Sequence, residues 1–239
     1  MKLPNEIEAL TFDCYGTIVD WDGGIRAAME AISSLEGCDF DRLVREREED
    51  EATLLAGGFR LYGEILGESL VLAAERQERK PTDDEIRTFV ASMGTWPLFP
   101  DSTEALVKLA QRFRLAVLSN VETAVLRQSL ASLEAAGALF DPLVTAQEVQ
   151  SYKPAPRHFD VGQESLALPR KSILHVAGSL YHDIRPARAL GWTTVWIDRR
   201  GEGLPDDPAL EDQLVFPDLA SLCSALFAAS DERNLTAPR

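Results

Sequence analysis

Apolar residues follow different spacings in different parts of the chain, and these spacings predict the order of helices and strands. A short apolar run that contains Leu10 and Phe12 is typical of a buried strand. Residues 20–97 then carry apolar side chains at helical spacing, with no strand pattern among them. Residues 98–230 alternate short apolar runs with helical segments. Strands that alternate with helices predict a doubly wound, parallel α/β sheet.

The helical segment is predicted to interrupt a single α/β core. We expect the core to consist of residues 1–19 and 98–230, with a helical cap inserted at residues 20–97. Gly94, Pro97 and Pro100 mark the end of the cap, because glycine and proline interrupt regular structure. Residues 231–239 show no periodicity and are predicted to form a flexible tail.

Composition and charge exclude several classes of function. The formal charge of -15 argues against nucleic-acid binding, which depends on Lys and Arg contacts to phosphate. For the same reason, a site for an anionic substrate must supply its own local positive charge. The sequence shows no signal peptide and no apolar run of the roughly 20 residues that a membrane helix needs. Three widely spaced cysteines form neither a disulfide framework nor a zinc pattern, so we expect a cytoplasmic protein with no nucleic-acid or membrane partner.

Polar side chains follow four predicted strands of the core, where an open parallel sheet gathers its ligand site. They are Asp13, Ser119 with Asn120, Lys153 and Asp183. A carboxylate nucleophile such as Asp13 must stay ionised, and the charge of Lys153 would lower its pKa. Asp183 could orient Lys153, while Ser119 and Asn120 offer hydrogen-bond donors to a substrate carboxylate. Each position alone also fits a turn, a helix cap or a surface residue, and the signal is the set of four.

The first of these positions lies in the sequence Phe-Asp-x-Tyr-Gly-Thr-hydrophobic-hydrophobic-Asp at residues 12–20. This stretch resembles the first motif of the haloacid dehalogenase (HAD) superfamily and, more narrowly, its type II 2-haloacid dehalogenase branch. Ser119, Lys153 and Asp183 follow in the order that the superfamily shows. The resemblance implies a Rossmann-like core with a helical cap inserted after the first motif, and it implies that Asp13 is the nucleophile.

Two positions depart from the phosphatases of that superfamily. Those enzymes use a second Asp as general acid where this chain has Tyr15, and a phenol with a pKa near about 10 is a poor proton donor. Their fourth motif also has an Asp where this chain has Gly178, although Mg²⁺ usually requires carboxylate ligands. Both departures favour metal-free displacement at carbon, so no metal ion or cofactor is expected. The Ser and Asn that are usual in the dehalogenase branch are not cleanly matched by Gly178, Ser179 and Leu180.

The resemblance further implies an arginine of the cap that receives the displaced halide. Arg45 fits by spacing, Arg42 and Arg47 compete with it, and a solvated arginine on an acidic helix is an equally good interpretation. His182 could activate the attacking water, although a lone histidine is more often structural. The substrate-binding candidates are Tyr15, Asn120, Arg45, Ser179 and His182, and the catalytic candidates are Asp13, Lys153, Asp183 and Ser119.

The sequence thus predicts a metal-independent hydrolase in which Asp13 displaces halide from a small anionic 2-haloacid and water hydrolyses the resulting aspartyl ester. Three alternatives stay open: an Mg²⁺-dependent HAD-type phosphatase, another metal-free hydrolase of the azetidine-2-carboxylate type, and a catalytically silent member that binds a ligand. The leaving group, chain length and stereochemistry of the substrate are not fixed by the sequence. The resembled branch commonly forms homodimers.

Overall fold

The computed structural model describes residues 6–236, and its side chains to residue 228, around a six-stranded parallel sheet. The strands are β1 (Ala9–Phe12), β2 (Arg114–Ser119), β3 (Phe140–Thr145), β4 (Ile173–Ala177), β5 (Thr193–Ile197) and β6 (Leu214–Phe216). Their order in the sheet is β3-β2-β1-β4-β5-β6. The strand order reverses between β1 and β4, and ligands of such sheets bind in the crevice outside the carboxyl ends of those strands.

The helices fall into two groups along the chain. Four lie between Asp20 and Pro97, after β1: α1 (Trp21–Glu30), α2 (Phe40–Ala56), α3 (Tyr62–Glu75) and α4 (Asp83–Ser92). The others alternate with the later strands: α5 (Ser102–Ala110), α6 (Thr123–Ala135), α7 (Ala146–Val149), α8 (Arg157–Leu166), α9 (Arg185–Ala189) and α10 (Leu219–Thr236). The prediction of a doubly wound parallel α/β core is therefore confirmed.

Both faces of the sheet are covered by helices, as the continuous apolar runs of its central strands require. Leu10 packs on one face in a cluster that includes Leu106 of α5 and Leu222 of α10. Ala9 packs on the other face with Phe159 of α8. Successive side chains of a strand point to opposite faces of the sheet, so adjacent residues of β1 pack in the layers on its two sides.

The chain leaves and re-enters the core at one point. Val19 forms an antiparallel bridge with Leu98, and the Asp20 amide donates to the Pro97 carbonyl at 2.8 Å. Between these contacts the structure has four α-helices and two short 3-10 helices. This crossing falls at the predicted limits of the cap, and the division of the chain into a core and a cap domain stays a prediction.

Three local predictions differ from the structure. Ser102 is the first residue of α5 rather than its cap, because its hydroxyl donates to the Ile18 carbonyl at 2.8 Å. The helix predicted from Tyr181 begins instead as a π-helix, Leu180–Ile184, which α9 continues. The last helix, α10, continues to Thr236, inside the segment predicted as a tail; residues 237–239 lie outside the described residues. None of the helices in the described part is long and apolar enough to cross a membrane.

Candidate active site

The carboxyl ends of β1, β2 and β4 open into a cavity of about 790 Å³, which we call the central cavity. The parallel register aligns Phe12 with Val117 of β2 and Val176 of β4, so the residues that follow these strands are neighbours. Asp13, Ser119 and Gly178 therefore meet at one side of the cavity, and residues of α1, α2 and α3 form the opposite side. The sheet thus brings together the strand-end residues that the sequence singled out.

Lys153 holds the centre of the site. Its ammonium group donates to Asp13 Oδ1 at 2.8 Å, to Asp183 Oδ1 at 2.7 Å and to the Leu118 carbonyl at 2.8 Å. These bonds use all three of its protons, and only 2% of the residue is exposed. Lys153 is therefore a fixed buried cation shared by two carboxylates.

Asn120 fastens the backbone of Lys153. Its side-chain oxygen accepts from the Lys153 amide at 2.7 Å, and its side-chain nitrogen donates to the Lys153 carbonyl at 3.1 Å. Asn120 lines the central cavity, but its amide group is engaged by the protein. These two bonds give Asn120 a positioning role toward Lys153, and its contact to substrate stays a prediction.

The charges of this cluster shift the pKa values of its members. Burial would lower the pKa of Lys153, but the charges of Asp13 and Asp183 raise it, so Lys153 is a cation. Burial also raises the pKa of Asp13, and the positive charge of Lys153 opposes that rise. For Asp183, burial is outweighed by Lys153 and by a hydrogen bond from His175, which lower its pKa to about 2. With both carboxylates ionised, the three groups carry a net charge of about -1.

His175 supports Asp183 from inside the sheet, and the sequence analysis missed it. Its Nε2 lies 3.1 Å from Asp183 Oδ1 and its Nδ1 lies 2.9 Å from Thr11 Oγ1. Because a carboxylate can only accept, we assign the ring proton to Nε2 and let the Thr11 hydroxyl donate to Nδ1. The signal was a histidine inside the apolar run of a predicted buried strand, where an imidazole needs partners.

Thr17 orients the second oxygen of Asp13. Its hydroxyl donates to Asp13 Oδ2 at 2.8 Å and accepts from the Gly178 amide at 2.8 Å. Both carboxylate oxygens of Asp13 are thus held, one by Lys153 and the other by Thr17. Thr17 belongs to the first motif, yet its role was not predicted because a threonine after a glycine also fits a simple turn.

Gly178 marks a close approach of two backbone segments. A Cβ atom at this position would lie 2.5 Å from the carbonyl oxygen of Gly16, closer than two such atoms can come. An Asp at position 178, as in the Mg²⁺-dependent phosphatases, would not fit this backbone. Within residues 6–236, no group of three or more His, Cys, Asp or Glu side chains is arranged to hold a metal ion.

Tyr15 lines the cavity with its ring and directs its hydroxyl into the protein. The hydroxyl lies 2.7 Å from Ser129 Oγ, and the ring packs edge-on against Trp21 and Trp96. Burial raises the pKa of Tyr15 above its usual value. Tyr15 is therefore an apolar wall of the site, which agrees with the expectation that it cannot act as a general acid.

Of the arginines on α2 that the sequence offered, the structure places Arg47 at the central cavity and Arg45 away from it. Arg45 is exposed and lies outside the lining of the central cavity, whereas Arg47 lines it and is fully buried. Two residues along an α-helix correspond to about 200° of rotation, so these side chains leave α2 on opposite sides. Arg47 shares the inward face with Leu43, four residues earlier.

Arg47 has an unused donor in the described structure. Its Nη1 donates to Glu51, and its guanidinium carbon lies 5.7 Å from the centre of the Trp21 ring. Its Nε is buried and has no hydrogen-bond partner among the described residues. A buried donor without a partner is unfavourable by about 1–3 kcal/mol, so the Arg47 guanidinium is incompletely satisfied by the described residues.

The remaining predicted residues also line the central cavity. Ser179 Oγ accepts from the His182 amide at 3.0 Å and so caps the π-helix. His182 Nδ1 lies 3.0 Å from the Lys153 carbonyl, which can only accept, so the proton is on Nδ1 and Nε2 is an acceptor. The Ser119 carbonyl accepts from the buried His158 at 3.1 Å, and burial lowers the pKa of His158 to about 3.

Two known dehalogenases match most of this chain in sequence. A haloacetate dehalogenase from Moraxella sp. (strain B) is 28% identical over 199 residues, which cover 82% of this chain and 88% of that protein. An (S)-2-haloacid dehalogenase from Pseudomonas putida is 26% identical over 198 residues, covering 82% and 87%. In each case the match spans most of both chains.

A solved structure shares the fold. It is an L-2-haloacid dehalogenase from Xanthobacter autotrophicus with chloropropionic acid covalently bound, and it superposes with a TM-score of 0.77. The two chains are 18% identical over 92% of this chain and 98% of the other, so the likeness concerns the fold alone. The model of the haloacid dehalogenase-like hydrolases matches residues 7–191, more than half of the sequence. The resemblance seen in the first motif is thus confirmed, and this chain belongs to the haloacid dehalogenase-like hydrolase family.

Proposed function

We propose that this protein hydrolyses the carbon–halogen bond of 2-haloacids through an aspartyl-ester intermediate and without a metal ion. The observation that carries the proposal is the presence, in one cavity, of a fixed carboxylate and a buried arginine. Asp13 is held by Lys153 and Thr17, and Arg47, whose buried Nε has no hydrogen-bond partner among the described residues, lines the same cavity. These are the groups that a displacement at carbon needs for attack and for departure of the anion.

In the first step, an oxygen of Asp13 attacks carbon 2 of the substrate. The new C–O bond forms as the C–halogen bond breaks, and halide leaves with the bonding electrons. Asp13 loses its charge in the ester, so the buried cluster changes from about -1 to neutral, with Lys153 and Asp183 left as a matched pair. Arg47 is proposed to stabilise the departing halide, because it supplies positive charge in a buried setting.

In the second step, water attacks the ester carbonyl carbon of Asp13. The C–O bond to the enzyme's carbonyl carbon breaks, the 2-hydroxy acid leaves, and the carboxylate of Asp13 is restored. His182 is the residue to test as base for this water, because it lines the cavity with Nε2 as an acceptor. Ser119 also lines the cavity and is proposed to donate to the substrate carboxylate.

Two features support metal independence. The Lys153 ammonium contacts Asp13 directly, which supplies the positive charge that a metal ion would otherwise bring. The approach of Gly178 to Gly16 also removes the place of the fourth-motif carboxylate. An Mg²⁺-dependent phosphatase would need a different donor set from the one seen in the described residues.

The first experiment measures halide release from chloroacetate, bromoacetate, fluoroacetate and both enantiomers of 2-chloropropionate, with EDTA present. Phosphate release from p-nitrophenyl phosphate with Mg²⁺ runs alongside, as does azetidine-2-carboxylate ring opening. We expect halide release that EDTA does not change and that Asp13→Asn abolishes. Phosphate release alone, or full activity of Asp13→Asn, would overturn the proposal.

A single turnover in H₂¹⁸O tests the ester directly. With enzyme in excess, water that attacks the carbonyl of the ester places ¹⁸O in the Asp13 carboxylate, and the first product molecule carries unlabelled oxygen. Mass spectrometry of the peptide that contains Asp13 and of the product distinguishes this from direct attack of water on carbon 2. Label in the product and none in the peptide would contradict the aspartyl ester. A homodimer and a cytoplasmic location stay predictions.

A further inference from the structure

The central cavity is much larger than a small 2-haloacid. Its volume is about 790 Å³, within the range of roughly 300–1,000 Å³ that is typical of pockets for drug-sized ligands. Because 2-chloropropionate has only six non-hydrogen atoms, most of the cavity lies beyond it.

The walls beyond Asp13 are aromatic. All four tyrosines of the chain line the central cavity, together with two tryptophans: Tyr15, Tyr62, Tyr152, Tyr181, Trp21 and Trp196. Trp21 contacts Tyr15 at 5.8 Å and Tyr62 at 6.2 Å between ring centres, and Tyr62 contacts Tyr152 at 6.4 Å. Tyr15, Trp21, Tyr62 and Tyr152 therefore form a continuous series of ring contacts that starts two residues after Asp13, which we call the tyrosine wall. Tyr181, of which 63% is exposed, stands at the mouth.

The hydroxyl groups of this wall are used by the protein. Tyr15 bonds to Ser129, Tyr62 donates to Glu51 at 2.9 Å, and Tyr152 donates to the Arg60 carbonyl at 2.6 Å. A substrate beside these residues therefore meets mainly ring carbon atoms. Aromatic groups pack favourably against such rings in edge-to-face or offset geometry, by about 0.5–1.5 kcal/mol beyond their buried area.

The charges of the lining limit the substrate to one anionic group. Seven carboxylates and four cations line the cavity, and each of the four cations is paired with a carboxylate: Lys153, Arg199, Arg200 and Arg47. The fourth, Arg47, is paired through Nη1 and keeps only its buried Nε without a partner. A second acidic group on the substrate would lie among an excess of negative charge.

We infer that the preferred substrates are 2-halo monocarboxylic acids with an uncharged aromatic substituent, such as 2-halo-3-arylpropionates. The inference rests on the proposed dehalogenase function and narrows its substrate class. Asp13 displaces halide from carbon 2, water hydrolyses the ester, and the products are halide, a proton and the 2-hydroxy-3-aryl acid. The aryl group lies along the tyrosine wall while carbon 2 stays at Asp13.

Kinetics of halide release test the preference. Each enantiomer of 2-bromo-3-phenylpropionate is compared with 2-bromopropionate, and we expect kcat/KM to be at least tenfold higher for the phenyl compound. Release from 2-bromopropionate alone would overturn the substrate inference and leave the proposed function intact. Release from neither compound would count against the proposed function itself.

Measurements of ligand affinity test the central cavity independently of the dehalogenation reaction. Calorimetric titration measures the binding of 3-phenylpropionate and of propionate in the central cavity. Neither acid carries a halogen, so the measurement does not depend on dehalogenation. We expect the Kd of 3-phenylpropionate to be at least tenfold lower. Equal affinity for the two acids would overturn the inference.

Two adjacent residues of α2 provide matched variants. Both residues are exposed, but Ala52 belongs to the lining of the central cavity and Thr53, about 100° further around the helix, does not. We expect Ala52→Trp to lower the ratio of phenyl to methyl substrate activity at least tenfold, and Thr53→Trp to leave the ratio within twofold of the wild-type value. An unchanged ratio in Ala52→Trp would mean that the aryl group does not occupy this cavity.

Discussion

Removal of the Lys153 ammonium should destabilise the protein as well as inactivate it. Lys153→Met keeps the length of the side chain but leaves Asp13 and Asp183 buried without the cation that now lies 2.8 and 2.7 Å from them. Breaking a buried ion pair by removing one partner typically destabilises a protein by about 3–5 kcal/mol. For a chain of this size that corresponds to a fall in Tm of about 6–20 °C.

The pH dependence gives the cause of the loss. Without Lys153 the folded-state pKa values of Asp13 and Asp183 rise above the unfolded value of about 4, so ionisation weakens the folded state as pH increases. The deficit of Lys153→Met should therefore be full at pH 7 and should shrink as the pH falls towards 4. In the wild type the opposite holds for Asp183, whose pKa of about 2 adds stability that is lost only as pH falls from 3.8 through that value.

Urea unfolding of four proteins at pH 7 and pH 4 measures these terms: the wild type, Lys153→Met, Asp13→Asn and the double variant. Asp13→Asn removes one of the two like charges, so the double variant should be more stable than Lys153→Met alone. Asp13→Asn by itself leaves a neutral Lys153–Asp183 pair and should unfold within about 1 kcal/mol of the wild type. A loss in Lys153→Met below about 1 kcal/mol at pH 7, or a double variant no more stable than it, would refute the charge argument.

Three further predictions concern single residues. Arg47→Met should lower halide release about 100-fold, while Arg45→Met should stay within about twofold; equal effects in the steady-state assay would contradict the choice between them. Asp183→Asn removes a negative charge that raises the pKa of Asp13. The pH below which kcat/KM falls should therefore be lower in this variant, and a shift to higher pH would contradict the role of ionised Asp13. Gly178→Ala should lose about 1–3 kcal/mol in urea unfolding, because its Cβ would meet a backbone carbonyl at 2.5 Å; wild-type stability would contradict the close approach.

Strand-end residues could be predicted because the sheet itself brings them together. Once the apolar runs are recognised as parallel strands, Asp13 and Ser119 follow from where those runs end, whereas Asp183 lies six residues beyond β4 in the π-helix. The strands alone did not predict that Lys153 belongs to the site, because it lies in a loop after α7. Only its place in the order of the family motifs singled it out. The central part of the site thus follows from the topology of the sheet, which the sequence pattern predicts.

Side chains that depend on the rotation of a helix could not be placed in the same way. The acidic helix α2 carries Arg42, Arg45 and Arg47, and a spacing rule from the nucleophile does not say which one faces inward. Leu43 indicates which one it is. An apolar residue of this helix faces inward, and Arg47, four positions later, lies on the same face. Arg47 could therefore have been preferred from the helical period alone, without any resemblance.

Hydrogen-bond partners were the other limit. Asn120 was expected to bind substrate because its amide can donate and accept, and the structure adds two bonds to the Lys153 backbone that the sequence did not predict. His175 was passed over as part of a strand, although it donates to Asp183. Such choices depend on which groups meet in three dimensions, and a buried polar group takes the partner that the fold supplies.

The buried cluster links the sequence departures to the chemistry. In the proposed first step Asp13 loses its charge, so a site that holds two carboxylates and one ammonium becomes electrically balanced when the ester forms. A metal ion beside Asp13 would favour the ionised carboxylate over the ester more strongly than one ammonium does, because its charge is larger. Gly178 stands where the phosphatases have a metal-binding carboxylate, and Tyr15 stands where they have a general acid. Both replacements therefore suit the same reaction, in which the nucleophile must give up its charge and the leaving anion needs no proton.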